Sequence, residues 1–455
     1  MKQKYRLGFS AVRGLLWLIV GLLPGNPLTA QTLTLLGQVN APGTFKTDVW
    51  GYVDPTNGKE YAIMGDHSGT GSVSIIDVSI PDNPVVVFTE ATVPGFDVKV
   101  WQHYIYSVNG GGTGLGGIMD ISNPTQPTVV GHFPNSHNIF ISENGFLFAE
   151  FPGLKIYDLN PNPLSPQLIW SDGVNGGGHD ASVIGNRLYD FHGTPGTFIY
   201  DISTINTPVL LGAIQDPNIS YHHSGWVTED QQFLFICDEL ANDPQPDITA
   251  WDISDPGNPV RVGEYGDPNA TVHNLYVIGN FAYVSYYTAG LRIFDVSTPA
   301  NITLAAEFDT TPVSGETFRG AFGVYPFSPN GLILVSDWDN GLFVFSFSEL
   351  TGINAPISDG NVPEAFHLWQ NFPNPFNPET TIRYQLPQQA AVTLRIFNGL
   401  GQVVRTLIKG VEGSGIHEVT WDGRDDNGRF VGSGIYFYQL TAPRIRKTRK
   451  MVLLE

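Results

Sequence analysis

Short apolar runs, separated by glycine, proline and asparagine, recur along most of the chain. The clearest set lies within residues 273–308, where "HNLYVI", "FAYVSYY", "LRIFDVS" and "ITLAAEF" are separated by "GN", "TAG" and "TPAN". Runs of this length that are apolar almost throughout predict four strands in one sheet with both faces buried.

The third run of this unit ends in Asp-Val-Ser, and the chain repeats that ending. The copies place an aspartate at Asp77, Asp120, Asp158, Asp201, Asp252 and Asp295, at spacings of 43, 38, 43, 51 and 43 residues. A seventh, degenerate copy has Ser346 in this place, a further 51 residues along. Four strands per unit and a period of about 40–45 residues are typical of β-propeller blades. We therefore predict an all-β fold with a seven-bladed β-propeller over residues 31–350.

The seventh unit ends after its third strand. A strand-like stretch, "TLTLLGQV" (32–39), precedes the first unit and has no unit of its own. We expect it to pair with the last blade, because this closes the ring and covers two exposed sheet edges.

The repeated aspartate invites a catalytic interpretation, but its position favours a structural one. In all six copies it stands two residues before serine or asparagine, where its side chain can cap the following turn. An aspartate that recurs in six blades also faces six different places. We predict turn-capping roles.

Both ends of the chain differ from the repeats. Residues 1–30 combine four cations, the apolar run "GLLWLIVGLL" and a small residue at Ala30, a layout typical of a secretory signal peptide. At the other end, residues 351–365 are predicted to be a linker. Residues 366–455 alternate apolar and polar positions between turn signals, which predicts a small Ig-like β-sandwich.

Charge and cysteine content limit the function classes. The formal net charge is −20, and removal of the four cations of the signal peptide makes it −24. Such a surface repels phosphate backbones, so nucleic acid is excluded as a partner. A single cysteine, Cys237, leaves no internal disulfide. No later run is long enough to predict a transmembrane helix.

The repeats resemble the LVIVD-repeat β-propellers of the choice-of-anchor B family of exported bacterial proteins. The resemblance covers about residues 40–347. It rests on "WGYVDPTNGKEYAIMG" (50–65), "SHNIFISENG" (136–145), "HHSGWVTEDQQFLFICDE" (222–239), "VHNLYVIGN" (272–280) and "GAFGVYPFSPNG" (320–331). It implies display on the cell surface and specifies no reaction.

The tail resembles the FlgD-like, type A C-terminal sorting domain of the type IX secretion system. The shared features are a Pro-Asn-Pro near its start, a "WDG" hairpin, the strand "GIYFYQL" and the final "KMVLL". The resemblance implies recognition by the type IX secretion machinery and passage across the outer membrane. The mature protein would then be attached to the outer surface or secreted.

Four histidines stand at the predicted starts of the innermost strands of blades three to six. They are His137, His179, His223 and His273, each followed by a small polar residue. We expect them to ring the mouth of the central channel, on the face where the longest insertions emerge. The candidate binding face around them comprises Trp50, Asp97, His67, His192, Asp238, Glu239 and Asp337.

Two interpretations of these histidines remain open. Converging imidazoles are ligands of Zn²⁺, Fe²⁺ or Mn²⁺, so the cofactor that the pattern allows is a divalent transition metal. Alternatively, the repeat simply places histidine at a strand start, where it bonds to the adjacent blade.

We predict a binding or adhesion module whose extracellular ligand is a glycan or a protein. The alternative is a metal-dependent hydrolase or oxygenase at the histidine-lined mouth. A purely architectural role in the cell envelope is a third possibility.

Overall fold

The computed structural model describes residues 32–173, 177–241 and 244–348. It also describes residues 367–454, apart from 369–370, 372–373, 375, 387–389, 399–401, 414 and 443–444. The predicted signal peptide and linker lie outside the described residues. Every regular element in the described part of the chain is a strand, which confirms the predicted all-β class. The described residues also contain no helix that is long and apolar enough to cross a membrane.

Residues 33–347 form seven four-stranded antiparallel sheets, which we number in chain order. The first strand, β1 (Leu33–Val39), belongs to the seventh sheet. Sheet one comprises β2 (Lys46–Val53), β3 (Glu60–Asp66), β4 (Ser72–Asp77) and β5 (Val85–Glu90). Sheet two comprises β6 (Asp97–Trp101), β7 (Tyr104–Val108), β8 (Leu115–Asp120) and β9 (Thr128–Pro134). Sheet three comprises β10 (Asn138–Ile141), β11 (Phe146–Glu150), β12 (Lys155–Asp158) and β13 (Gln167–Ser171).

The remaining sheets repeat the same order of strands. Sheet four comprises β14 (Asp180–Ile184), β15 (Arg187–Phe191), β16 (Thr197–Asp201) and β17 (Val209–Ile214). Sheet five comprises β18 (His222–Val227), β19 (Phe233–Asp238), β20 (Ile248–Asp252) and β21 (Val260–Tyr265). Sheet six comprises β22 (Leu275–Ile278), β23 (Phe281–Ser285), β24 (Leu291–Asp295) and β25 (Thr303–Phe308). Sheet seven comprises β26 (Ala321–Tyr325), β27 (Leu332–Asp337), β28 (Gly341–Phe347) and β1.

The sheets are joined in a ring through their first strands. Each first strand contacts the first strand of the next sheet, and β26 contacts β2. The seventh sheet is completed by β1, which pairs antiparallel with β28 from Leu33 opposite Phe347 to Val39 opposite Leu342. The expectation that residues 32–39 pair with the last sheet is therefore confirmed.

The aspartates that end the third strands cap turns, as predicted. In each of the six copies, an aspartate Oδ1 accepts a hydrogen bond from the backbone N–H two residues later, at 2.8–3.0 Å. The donors are Ser79, Ser122, Asn160, Ser203, Ser254 and Ser297. The repeated motif therefore encodes the turn between the third and fourth strands.

The outer strand of one sheet packs closely against the turn of the next. A Cβ at Gly212, in β17, would lie 1.7 Å from the carbonyl oxygen of Pro256. A Cβ at Gly263, in β21, would lie 2.0 Å from that of Pro299. The backbones can approach this closely because glycine has no side chain at these positions.

The C-terminal region forms two further antiparallel sheets. One comprises β29 (His367–Leu368), β30 (Thr380–Leu386) and β33 (Gly415–Trp421). The other comprises β31 (Ala390–Asn398), β32 (Val403–Glu412), β34 (Gly434–Ala442) and β35 (Ile445–Leu453). Both contribute to one core that includes Ile382, Leu394, Trp421 and Tyr438. The predicted sandwich is therefore present.

Candidate functional site

A cavity of about 320 Å³ lies where the first strands of the sheets begin. All four predicted histidines line it. His137 and His179 immediately precede a first strand, His223 is the second residue of β18, and His273 lies two residues before β22. The backbone N–H groups of His137, His179 and His273 donate to second-strand carbonyls at 2.8–3.0 Å. The sheet ladders therefore fix the positions of these histidines. The cavity is lined by Phe45, Asp48, Phe96, Asp97, His137, Asn138, His179, His223, Glu239, His273, Asn274, Tyr287, Phe318, Phe322 and Trp338.

The four imidazoles form a continuous row, which we call the histidine row (His137, His179, His223 and His273). Successive ring centroids are 4.5, 4.1 and 4.5 Å apart. The Nδ1 atoms of three rings lie against backbone carbonyls of the channel wall. His137 contacts Gly110 O, His179 contacts His223 O at 3.0 Å, and His273 contacts Phe322 O.

These contacts fix the tautomer of the three rings. A carbonyl oxygen accepts hydrogen bonds and cannot donate them, so each of these Nδ1 atoms carries a proton. In a neutral ring, the Nε2 atom then carries a lone pair. The Nε2 atoms of His137 and His179 lie 3.0 Å apart. Two lone pairs at this distance repel each other unless a proton or a cation lies between them.

A proton is a poor source of that charge. Burial lowers the pKa of His137, lowers that of His179 and His223 well below the ordinary value, and lowers that of His273 to about 3. The rings are therefore neutral at physiological pH. Neutral imidazoles with inward-facing Nε2 lone pairs are in the form that binds a metal ion.

One carboxylate extends the histidine row. Glu239 directly follows β19, and its oxygens lie 3.4 Å from His223 Nε2 and 3.9 Å from His273 Nε2. The Tyr287 hydroxyl donates to Glu239 at 2.5 Å. Burial raises the pKa of Glu239 to about 7, although the Tyr287 hydrogen bond opposes this shift. One ligand atom each from His179, His223 and Glu239 can be chosen so that all lie within 4.8 Å of one another.

Aromatic side chains surround the rest of the cavity. Phe45 stacks on Trp338 with ring centroids 3.5 Å apart. Phe318 is 47 % exposed and packs edge-on against Tyr287. Aromatic faces beside a polar centre are suited to stacking against sugar rings or apolar side chains.

The buried Lys99 forms ion pairs with two acidic residues of the cavity wall. Its Nζ donates to Asp48 at 2.6 Å and to Asp97. The second oxygen of Asp97 accepts the Ile139 N–H at 2.7 Å. Asp97 therefore lines the cavity as predicted, but its hydrogen bonds are taken up by the protein.

The structure separates the other predicted binding-face residues from the cavity wall. His67 packs edge-on against the cavity residues Phe45 and Phe96 and does not itself line the cavity. Asp238 accepts hydrogen bonds from the Ser220 and Tyr221 backbones, and Asp337 accepts one from the Thr310 hydroxyl. Trp50 lies further along β2 against Tyr276 and Tyr325. His192 contacts Asp190 instead of the histidine row.

Sequence reasoning did not identify Phe45, Asp48 and Phe318 as cavity residues. Phe318 belongs to "DTTPVSGETFRG" (309–320), a long insertion expected on the histidine side, so the length of that loop was a usable signal. Phe45 and Asp48 lie in the segment that leads from β1 into β2, where no repeat gives an alignment.

The fold and site define a β-propeller, and sequence comparisons indicate which families it resembles. The LVIVD repeat model matches residues 96–134 and 271–310, which coincide with sheets two and six. The FlgD Ig-like domain model matches residues 376–444, inside the C-terminal sandwich. No curated protein matches the chain.

Three solved structures resemble the chain at low sequence identity. The WD40 β-propeller domain of Doa1 is 16 % identical with a TM-score of 0.50, over 70 % of this chain and 97 % of that domain. PorZ, an essential bacterial surface component of the type-IX secretion system of Porphyromonas gingivalis, is 16 % identical with a TM-score of 0.45. That match covers 88 % of this chain and 58 % of PorZ. U3-55K is 10 % identical with a TM-score of 0.48, over 69 % of this chain and 98 % of its own.

Proposed function

We propose that this protein is an exported β-propeller that binds an extracellular ligand at a metal centre in its channel mouth. Residues 1–30 would direct export, 31–350 would form the binding module, 351–365 a linker, and 366–455 the domain recognised by the type IX secretion machinery. The FlgD Ig-like match and the sorting-domain motifs support this route. The resemblance to choice-of-anchor B propellers supports surface display or release.

The observation that carries the metal centre is the pair of Nε2 atoms of His137 and His179, 3.0 Å apart with both Nδ1 atoms already bonded to carbonyls. Two nitrogens in neighbouring positions on one ion, with metal–nitrogen bonds of about 2.0–2.1 Å, lie about 2.9–3.4 Å apart. A metal ion between the two Nε2 atoms would remove the repulsion of their lone pairs. A proton would not, because burial disfavours the charged imidazolium.

The chemistry of the donors restricts the metal. Imidazole nitrogens with one carboxylate suit Zn²⁺, Fe²⁺ or Mn²⁺, whereas Ca²⁺ and Mg²⁺ prefer oxygen ligands. The histidine row and Glu239 would hold the ion on one side. The opposite side faces the cavity, where Phe318 and Trp338 offer aromatic surface to a glycan or a peptide.

One observation favours catalysis as a second candidate function. Glu239 faces the cavity beside His223, and a carboxyl with a pKa of about 7 can exchange protons at neutral pH. With a metal ion to polarise a bound group, this arrangement would suit hydrolysis or oxidation. As a general base, Glu239 would not be a ligand of the ion, so turnover lost in Glu239→Gln with metal content retained would favour catalysis, whereas loss of metal in that variant would assign Glu239 to the ion.

The metal centre is tested by elemental analysis of the untagged mature protein, purified without chelators. We expect the wild type to hold about one more equivalent of metal than a His137→Gln/His179→Gln variant. His222→Gln is the control, because His222 is also a buried histidine of a first strand but contacts Thr197 instead of lining the cavity. Equal metal content in wild type and the double variant, after incubation with Zn²⁺, Fe²⁺ and Mn²⁺, would contradict the proposal.

A further inference from the structure

A second cluster of metal-ligating side chains lies between sheets three and four and shares no residue with the histidine row. Glu150 ends β11, Asp190 lies in β15, and His192 directly follows β15. One ligand atom of each lies within 4.8 Å of the others. The three residues are 0 %, 1 % and 7 % exposed. We call them the inter-sheet cluster.

Glu150 is the least satisfied member of this cluster. Neither of its side-chain oxygens has a hydrogen-bond partner among the described residues, and both are fully buried. Burying a carboxylate without a partner costs several kcal/mol. A side chain held this way on a rigid strand needs either a proton or a cation.

The charges around Glu150 do not supply that compensation. Burial raises its pKa most, and the neighbouring Asp190, Asp180 and Asp172 raise it further. Lys155 opposes them, but its Nζ donates to the carbonyl of Pro152. Within the cluster, His192 Nδ1 lies 3.2 and 3.3 Å from the two oxygens of Asp190. Acidic side chains therefore outnumber basic ones around Glu150.

Two glycines bring the backbone directly onto the cluster. A Cβ at Gly177 would lie 2.5 Å from His192 Nε2, and a Cβ at Gly178 would lie 2.6 Å from Glu150 Oε2. Both residues have φ near +80°, at 75° and 80°, which favours glycine. A larger residue at either position would collide with a donor atom of the cluster.

We propose that Glu150, Asp190 and His192 bind a second divalent transition metal, Zn²⁺ or Mn²⁺, which fastens sheet three to sheet four. A histidine nitrogen with two carboxylates matches the ligand preferences of these ions and disfavours Ca²⁺ and Mg²⁺. Oxygen and nitrogen donors bind such ions at about 2.0–2.2 Å, so atoms within 4.8 Å of one another reach one ion after small side-chain movements. Because the ligands come from two sheets, binding is coupled to the stability of the ring.

The test uses the mature chain, stripped of metal and reloaded with Zn²⁺ or Mn²⁺, in wild type and in the His137→Gln/His179→Gln background. In that background we expect one equivalent of metal to remain and to raise the thermal midpoint by at least about 2 °C. Adding Glu150→Gln and Asp190→Asn should abolish both effects. Glu60→Gln is the matched control, because Glu60 is also buried but accepts a hydrogen bond from Ser328 at 2.9 Å.

Unchanged metal content and midpoint shift in a folded Glu150→Gln/Asp190→Asn variant would overturn the inter-sheet site. The inter-sheet site would also be overturned if the wild type bound no metal at these three residues and the variant were more stable than the metal-free wild type. Anomalous scattering from wild-type crystals loaded with Zn²⁺ gives an independent result. A peak among the three side chains supports the site, and its absence overturns it. If the histidine row binds no metal, the result is distinguishable, because the metal content would then be equal with and without the His137/His179 substitutions.

Discussion

Two aspartates show most directly how burial determines the pKa of a carboxyl group in this protein. The exposed turn aspartate Asp252 accepts hydrogen bonds from the Ser254 backbone and hydroxyl, which hold its pKa below the ordinary value. Asp247 directly precedes β20, the strand that Asp252 ends, but it is buried, and burial raises its pKa to about 6. The pKa of an aspartate is thus lowered at one position and raised at another within one sheet.

Asp247 should give the folding stability a defined pH dependence. Its oxygen accepts hydrogen bonds from the Tyr286 hydroxyl and the Asp267 backbone, which oppose but do not cancel the effect of burial. Because the folded pKa lies above the unfolded value, the stabilisation is complete below pH 3.8 and is lost as the pH rises to about 6. Between pH 4 and 6, the wild type should lose about 1–2 kcal/mol relative to Asp247→Asn. Urea unfolding at several pH values measures this difference, and parallel pH profiles for the two proteins would contradict it.

At the scale of elements, the sequence predicts the repeated strands and turns well, because every sheet must bury both of its faces and cap the same turn. Apolar runs locate the strands, and the aspartate motif locates the turns that it caps. Positions aligned on these turns place all four histidines on the cavity wall. The association of Glu150 with Asp190 and His192 is different, because it depends on how two sheets with unequal loops pack together.

Trp50 shows why alignment alone is insufficient. The pairing of β2 with β3 shifts between Lys46 and Val49, so extra residues are accommodated at the start of β2. Asp48 therefore reaches the cavity, whereas Trp50 lies further along the strand. A bulge of this kind has no marker in the apolar pattern.

The close packing between sheets makes Gly212 a sensitive position. A methyl group there would meet the backbone carbonyl of Pro256, which cannot rotate away like a side chain. Gly212→Ala should lower the free energy of unfolding by about 1–3 kcal/mol. Gly266→Ala serves as the control, since its Cβ would approach no atom closer than 3.4 Å. Chemical denaturation measures both, and equal losses would show that the inter-sheet contact is not the cause.

At the scale of the whole molecule, β1 completes the last sheet and joins the two ends of the propeller. Its Thr32 end is held by hydrogen bonds to Ser348, and its other end by Gln38 to the Asn340 carbonyl. Without β1, β28 would be an exposed edge strand able to pair with other chains.

Deleting residues 32–39 should therefore weaken the ring and promote self-association. We expect a loss of at least about 3 kcal/mol in unfolding free energy, because several half-buried apolar side chains are removed with the strand. Denaturation and light scattering measure the two effects. A synthetic peptide of sequence "TLTLLGQV" should restore part of the stability, while a truncated protein as stable and monomeric as the full chain would contradict the role of β1.

The pairing of β1 with β28 also constrains the order of events during synthesis. Residues 33–39 emerge from the ribosome first among the described strands, whereas their partners at 342–347 emerge last among the strands of the propeller. An apolar strand must then remain unpaired while six complete sheets are produced, and long-range pairings of this kind form slowly. The ring can therefore close only after residues 342–347 have been synthesised, and a chain that stops before them leaves β1 without its partner and β27 with an unpaired edge.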